Sequence, residues 1–258
     1  MGALELGQIK GILFDKDGTL LDFHAFFVPV ARQLVTQLLD DLGLSDDRLL
    51  EQELLKVIGL RETQVDPKGI LASGTSCDIY EAFSELLQDK HVRADRLKQL
   101  ESWIPEKLYE LTKSSAAQIK PTADLKKLFA QLQSMGMKVG IATADDWEST
   151  VYGLKSLGIH DYFEFIGTSD HYDKKPDPCM LYAFCEKHQL DTTEVAVVGD
   201  TVVDLLLARN GTAGLAVGVL SGVSGTRELE ELADILLHSV GDIVREDGCL
   251  IWENSIIR

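Results

Sequence analysis

Asp15-Lys16-Asp17-Gly18-Thr19 sets two carboxylates two residues apart at the end of an apolar run, Ile9 to Asp15. Side chains alternate along an extended backbone, so Asp15 and Asp17 lean to one side while Lys16 points away. Two neighbouring carboxylates repel each other unless a cation or a proton separates them. Such a pair offers a nucleophile and, beside it, a group able to hold a proton. Gly18 lets the backbone turn sharply and brings amide N–H groups close to a bound oxyanion. A strand followed by an Asp-Gly turn is the plainer account of the same five residues.

Val198-Gly199-Asp200, followed by Asp204, is again an apolar run ending in a carboxylate with a second acid four residues on. Magnesium takes hard oxygen ligands, commonly one or two carboxylates with water and a substrate phosphate. Asp15 and Asp200 can supply the carboxylates. An acid in the first turn of a helix also complements the helix dipole, which is the bland account of Asp204. Thr143 closes the run KVGIATA, where its hydroxyl can bond a phosphate oxygen or cap the next helix. Lys175, in KKPDP, is held extended by Pro176 and is a good point-charge partner for phosphate. An ordinary exposed lysine is the plainer account of the same residue, and KKPDP on its own does not decide between the two.

These residues need elements to position them. IKGILFD reads as a buried parallel strand, because a strand covered on both faces is apolar throughout. From about Phe23 to about Ser114 the pattern is almost wholly helical, with apolar residues three and four apart. Gly43 and Gly59 suit the left-handed residue that ends a helix. After SSAAQIKP, helix and strand alternate through KVGIATA, FEFIGTSD, VAVVGD and GLAVGVL. That rhythm predicts right-handed βαβ units and a doubly wound parallel sheet interrupted by a helical insert. In such sheets ligands bind beyond the carboxyl ends of the strands. The strand ends read Asp15, Thr143, Asp170 and Asp200, and three of these four are chosen independently on chemical grounds.

Composition narrows the partners. The net charge of −17 repels nucleic acid and anionic membranes, so neither is expected. An anionic substrate then requires a local positive field, for which a divalent cation is the obvious means. No run of about 18 apolar residues is present, and the start lacks the basic flank and apolar core of a secretory signal. A cytoplasmic protein is expected. Cys77, Cys179, Cys185 and Cys249 have no zinc-like spacing and read as reduced, mostly buried thiols.

DKDGTL, IATA with Thr143, KKPDP with Lys175 and GDTVVD follow one another in an order that resembles the haloacid dehalogenase-like hydrolases, nearest to the phosphoglycolate phosphatase-like branch. The resemblance covers the whole chain. It implies a Rossmann-like α/β core of residues 1–22 and 115–258, with an inserted all-helical cap of residues 23–114. It implies a magnesium-dependent phosphatase acting on a small phosphorylated metabolite, a phosphoglycolate-like ester or a sugar phosphate. In that scheme Asp15 is the nucleophile and a metal ligand, and Asp17 is the general acid and base with its carbonyl on the metal. Thr143 and Lys175 hold the phosphoryl oxygens, with Gly18, Thr19 and Ala144 around the phosphate. Asp200 ligates Mg²⁺, and Asp204 supports it directly or through water.

The chain departs from the pattern in two places: Lys16, where relatives usually carry an apolar side chain, and Ala144-Asp145, where Asn or Ser often follows the threonine. Dehalogenation needs no acid for its leaving group, so Asp17 argues for phosphoryl chemistry. A phosphomutase that returns the group to a sugar shares all four motifs. A receiver-type phospho-acceptor module needs neither the insert nor Asp17. A nucleotide-sugar metal site would leave Lys175 and GDTVVD without a role. The cap is expected to move over the site, with hinges near Leu21 to His24 and Ser114 to Lys120. Arg61, Lys68 and the segment at Gly74 are its candidates for specificity. His24, His160 and His171 are expected on the surface or in the cap. A monomer or a homodimer is expected.

Overall fold

The computed structural model describes residues 8–253. Strand β1 (Gly11–Phe14) is buried at every position, as the unbroken apolar run requires. Six helical and hairpin elements follow. These are α1 (Phe23–Leu42), α2 (Arg48–Val57), the hairpin of β2 (Leu60–Arg61) with β3 (Gln64–Val65), α3 (Ile70–Ser73), α4 (Ser76–Asp89) and α5 (Ala94–Ser114). The small hairpin is the one departure from the helical pattern expected there.

Capping residues explain where these helices begin and end. Asp22 accepts from the Ala25 amide and Asp47 from the Leu50 amide, each satisfying an otherwise orphaned donor. Thr75 and Asp78 form a reciprocal capping box at α4. Gly43 ends α1 at φ 72°, a left-handed conformation that glycine adopts without strain. The apolar stripes meet in a core of their own, where Leu34 and Leu38 of α1 join Leu54, Phe83 and Ile104 from the other three long helices. The chain leaves for this insert and returns from it side by side. The Asp22 amide donates to the Lys120 carbonyl at 2.9 Å, and Leu21 bridges to Pro121.

The remainder alternates as expected: α6 (Leu125–Ser134), β4 (Lys138–Ala142), α7 (Trp147–Leu157), β5 (Phe165–Gly167), α8 (Cys179–His188), β6 (Val195–Gly199), α9 (Val202–Asn210), β7 (Leu215–Val219), α10 (Thr226–Leu229) and β8 (Ile235–Leu237). All six strands of the main sheet run parallel in the order β5-β4-β1-β6-β7-β8. Alternation assigns each residue to a face. Ile12, Phe14, Val198 and Val217 pack with Leu128, Phe129 and Leu154 of α6 and α7. Leu13, Val197 and Ala216 pack with Phe184 of α8 and Leu205 of α9. The fold is therefore a doubly wound α/β sheet carrying a helical insert.

Near the carboxyl end of the chain, Leu250 and Trp252 are buried in the first of these cores, while residues 254–258 of that apolar tail lie outside the described residues. Of the four cysteines only Cys185 is buried and Cys77 is exposed, so the expectation of mostly buried thiols does not hold. Among the described residues no helix is long and apolar enough to cross a membrane.

Candidate active site

β1 occupies the middle of the sheet although it comes first in the chain, with β4 on one side and β6 on the other. Connections diverge from this point, which opens a crevice at the carboxyl ends of the three strands. Asp15, Thr143 and Asp200 stand one residue beyond β1, β4 and β6. All three are buried, Asp200 completely. Asp15, Asp17, Thr143, Ala144, Lys175 and Asp204 share the wall of one cleft, whose roof is formed by the helical insert.

Lys175 reaches across the cleft floor. Its Nζ donates to Asp15 Oδ1 at 2.6 Å and to Asp204 Oδ1 at 2.5 Å, and all three side chains are almost fully buried. Burial alone would lower the lysine pKa, but the two carboxylates outweigh it and hold the ammonium charged. Asp204 Oδ2 accepts from the Thr201 amide and hydroxyl in a capping box. The dipole role and the site role of Asp204 therefore coexist in one side chain.

Asp15 Oδ2 is buried and has no hydrogen-bond partner. Burial pushes the Asp15 carboxyl up to about 6, with Lys175 opposing and Asp204 reinforcing the shift. Burial, followed by Asp15 and Asp204, raises Asp200 well above the ordinary carboxylate range. Oxygens of Asp15, Asp200 and Asp204 all lie within 4.8 Å of one another. Three acids so placed, one with an orphaned oxygen, fit a divalent cation: hard oxygen donors are what Mg²⁺ selects, and its charge would relieve their repulsion.

Thr143 donates its amide to the Gly167 carbonyl, and its hydroxyl oxygen accepts from the Asp145 amide at 3.2 Å. Thr143 itself forms part of the cleft wall. Gly18 and Thr19 lie behind that wall. The Gly18 amide donates to the Leu21 carbonyl, and the Thr19 hydroxyl donates to Asp200 Oδ1 at 3.2 Å. Gly18 has φ 91°, and a Cβ there would come within 2.4 Å of Asp200 Oδ2. Only glycine suits both the backbone and the approach.

Several residues near the site are absent from the sequence-based selection. Lys16, expected to point away, is buried and curls back so that Nζ meets Asp17 Oδ1 at 2.7 Å and Asp145 Oδ2 at 2.9 Å. The Val223 amide donates to Asp200 Oδ2 at 2.9 Å, and the Ser221 hydroxyl donates to the Gly18 carbonyl at 2.8 Å. Ser221 to Val223 lie two to four residues beyond the end of β7 at Val219, so the strand-end rule was a sufficient signal for them. Asp170 lies three residues past β5 and accepts from Thr168 and the Trp147 amide instead of facing Asp15. His24 is exposed, His160 pairs with Asp161 and His171 bonds Thr168; none lines the cleft. Arg61 and Lys68 are exposed and stand away from it, whereas Gly74 is on its wall.

Residues 9–212 match the family model of the haloacid dehalogenase-like hydrolases. The chain belongs to this family. Over 244 residues the hydrolase is 29% identical to a phosphoglycolate phosphatase of Vibrio vulnificus strain YJ016, covering 90% of this chain and 98% of that one. Its fold matches a predicted phosphoglycolate phosphatase from Haemophilus somnus with a TM-score of 0.70 at 18% identity, over 92% of this chain and 97% of the other. A β-phosphoglucomutase from Clostridium difficile matches with a TM-score of 0.64 at 17% identity, over 93% and 95%. At such identities the two solved structures establish a common fold alone.

Proposed function

We propose that this hydrolase is a Mg²⁺-dependent phosphatase that removes phosphate from a small organic monoester through an aspartyl phosphate on Asp15. The observation that carries the reading is the buried Asp15 carboxylate at the sheet's branch point, with Lys175 beside it and Asp17 two residues on, all facing one cleft. The family membership and the curated relative's name support the same chemistry.

A carboxylate approaching a phosphate dianion meets repulsion of about 4 kcal/mol per pair of unit charges at ~4 Å and an effective dielectric of 20. Asp15, Asp200 and Asp204 would hold Mg²⁺, which when bound supplies Lewis-acid neutralisation of the phosphoryl oxygens. Lys175 adds a fixed cation on the same side, and the Thr143 hydroxyl donates to a phosphoryl oxygen. An oxygen of Asp15 attacks phosphorus, and the ester P–O bond breaks. Asp17 gives its proton to the departing alkoxide. A water then attacks the aspartyl phosphate, yields its proton to Asp17 and releases inorganic phosphate, so that Asp15 and Asp17 return to their starting states. Burial holds Asp17 at about 7, with Lys16 opposing the rise, so both protonation states are accessible near neutral pH.

The test is release of inorganic phosphate from p-nitrophenyl phosphate, with and without Mg²⁺, by the wild type and by Asp15→Asn. Metal-dependent turnover that Asp15→Asn abolishes is the expected result. Turnover that survives the substitution would remove Asp15 from the mechanism. Transfer of phosphate to a sugar in place of its release would identify a mutase.

A further inference from the structure

We infer that the organic part of the substrate is uncharged and apolar, an alkyl or aryl group, and carries no carboxylate, second phosphate or ammonium group. This rests on the phosphatase reading given above. The cleft has two unlike halves. Its floor holds the carboxylates, Thr143 and Lys175, a set suited to one phosphoryl group. Its roof, where the rest of an ester must lie, is mainly aliphatic and aromatic: Phe27, Val30 and Leu34 of α1 meet Ile58, Ile70 and Leu108 from the other elements of the insert, with the neutral hydroxyl residues Ser73, Thr75 and Ser76 beside them.

Among the described residues Lys175 is the only Lys, Arg or His lining the cleft, and it is engaged by Asp15 and Asp204. A second anionic group on the substrate would therefore be taken out of water against hydrocarbon with no free cation opposite it, which is costly: Lys16 Nζ stands 5.7 Å from the Phe27 ring centroid but is held by Asp17 and Asp145. The nearest charges on the upper wall are of the same sign. Asp145 is bound to Lys16, and Asp146 caps α7 by accepting from the Ser149 amide. The hydroxyl of Thr75, at the edge of the roof, bonds Asp78 in the cap of α4. An ammonium group would lose its water among the same six apolar side chains, and the carboxylates of the upper wall are already engaged, Asp145 by Lys16 and Asp146 in the cap of α7. An alkyl or aryl group, by contrast, gains from each methylene removed from water.

A homologous series decides this. Methyl, propyl, butyl and pentyl phosphate are compared with esters of the same length ending in a carboxylate, phosphoglycolate included, or an amine. The expected result is a rise in kcat/KM of about fourfold per methylene until the roof is filled. Exchanging the terminal methyl for a carboxylate or an ammonium is expected to lower it about 100-fold. A charged ester that equals or outruns the alkyl ester overturns the inference. Calorimetry with pentylphosphonate and 4-phosphonobutyrate in the presence of Mg²⁺ asks the same question without turnover. Tighter binding of the carboxylated phosphonate, or binding of neither, also overturns it. Failure to hydrolyse any ester, p-nitrophenyl phosphate included, defeats the phosphatase reading instead, while the order of phosphonate binding still decides the chemistry of the roof. Leu108→Arg, at a half-buried position, is expected to raise kcat/KM for the carboxylated esters about tenfold; no gain in a folded variant counts against the inference.

Discussion

Lys16 Nζ lies 2.7 Å from Asp17 Oδ1, and the lysine side chain is only 2% exposed. Its second partner is Asp145, 129 residues away in sequence and directly after the loop that carries Thr143 and Ala144. A cation thus ties the proposed proton donor to the far wall of the site. The amine also stands 5.7 Å from the ring centroid of Phe27 on α1, within range of a cation–π contact. Burial alone would lower the Lys16 pKa, but Asp145 and Asp17 outweigh it and keep the amine charged.

Removing this cation is expected to act on Asp17. Burial raises the Asp17 carboxyl and Lys16 is the strongest opposing influence, so Lys16→Met would move the carboxyl above its present value of about 7. The limb of the pH–rate profile that reports Asp17 should shift upward, and a profile that stays in place would separate Lys16 from the proton transfer. Stability should fall as well. Breaking a fully buried ion pair costs roughly 3–5 kcal/mol, and the loss here should lie toward the lower end, because the Asp145 side chain is 22% exposed. Urea denaturation measures it.

The acid cluster makes a separate prediction about pH and metal. Folding raises the carboxyl of Asp15 from 3.8 to about 6, and that of Asp17 from 3.8 to about 7. Between those values the folded chain binds more protons than the unfolded chain, so metal-free stability falls as pH rises through this window. The stabilising contribution is whole below about 4 and is gone above about 7. Mg²⁺ competes with the same protons, so its effect should grow in the opposite direction. The rise in Tm produced by saturating Mg²⁺ should be larger at about pH 8 than at about pH 5.5. Equal rises at both would mean that the metal does not bind these acids.

Much of this site was legible because its main parts obey a local rule. Asp15, Thr143 and Asp200 each directly follow an apolar strand, and the alternation of helix and strand was enough to place all three at one edge of the sheet. Lys16 was not legible, since alternation along a strand fixes where a side chain starts, whereas a lysine's long stem lets its charge return to Asp17. Arg61 and Lys68 drew notice as basic residues of the insert, but charge says nothing about facing, and both ended up exposed. The roof was hidden for a different reason. Helical periodicity marks apolar residues as buried without distinguishing those that pack only on other helices, such as Leu38, from those that also border the cleft, such as Val30.

Gly18 should tolerate no side chain. At φ 91° an alanine is strained, and its Cβ would stand 2.4 Å from Asp200 Oδ2. Asp200 has little room to give way, because Thr19 holds one of its oxygens and the Val223 amide the other. Gly18→Ala should therefore displace the carboxylate and weaken Mg²⁺ by about 10–100-fold, the range typical when groups that orient a metal ligand are lost. Metal titration followed by the change in Tm would check this, and unchanged affinity would exclude Asp200 from the metal site.

Lys174 offers the contrasting case of an ion pair between core and insert that should matter little to stability. Its Nζ meets Asp78 Oδ1 at 2.5 Å, but the lysine side chain is 56% exposed. The pair lowers the Asp78 carboxyl only against an opposing rise from burial. Solvent-exposed pairs of this kind contribute about 0–1 kcal/mol and weaken as salt screens them. Lys174→Ala should thus leave the urea midpoint nearly unchanged, while Asp78 keeps its capping contacts with Thr75. Any effect should appear in how the insert sits on the core. If the pair helps hold the cleft closed, the variant should raise KM with little change in kcat, and high salt should bring the wild type toward the variant. A loss of more than about 2 kcal/mol on Lys174→Ala would show instead that the pair is part of the folding core, contrary to its exposure.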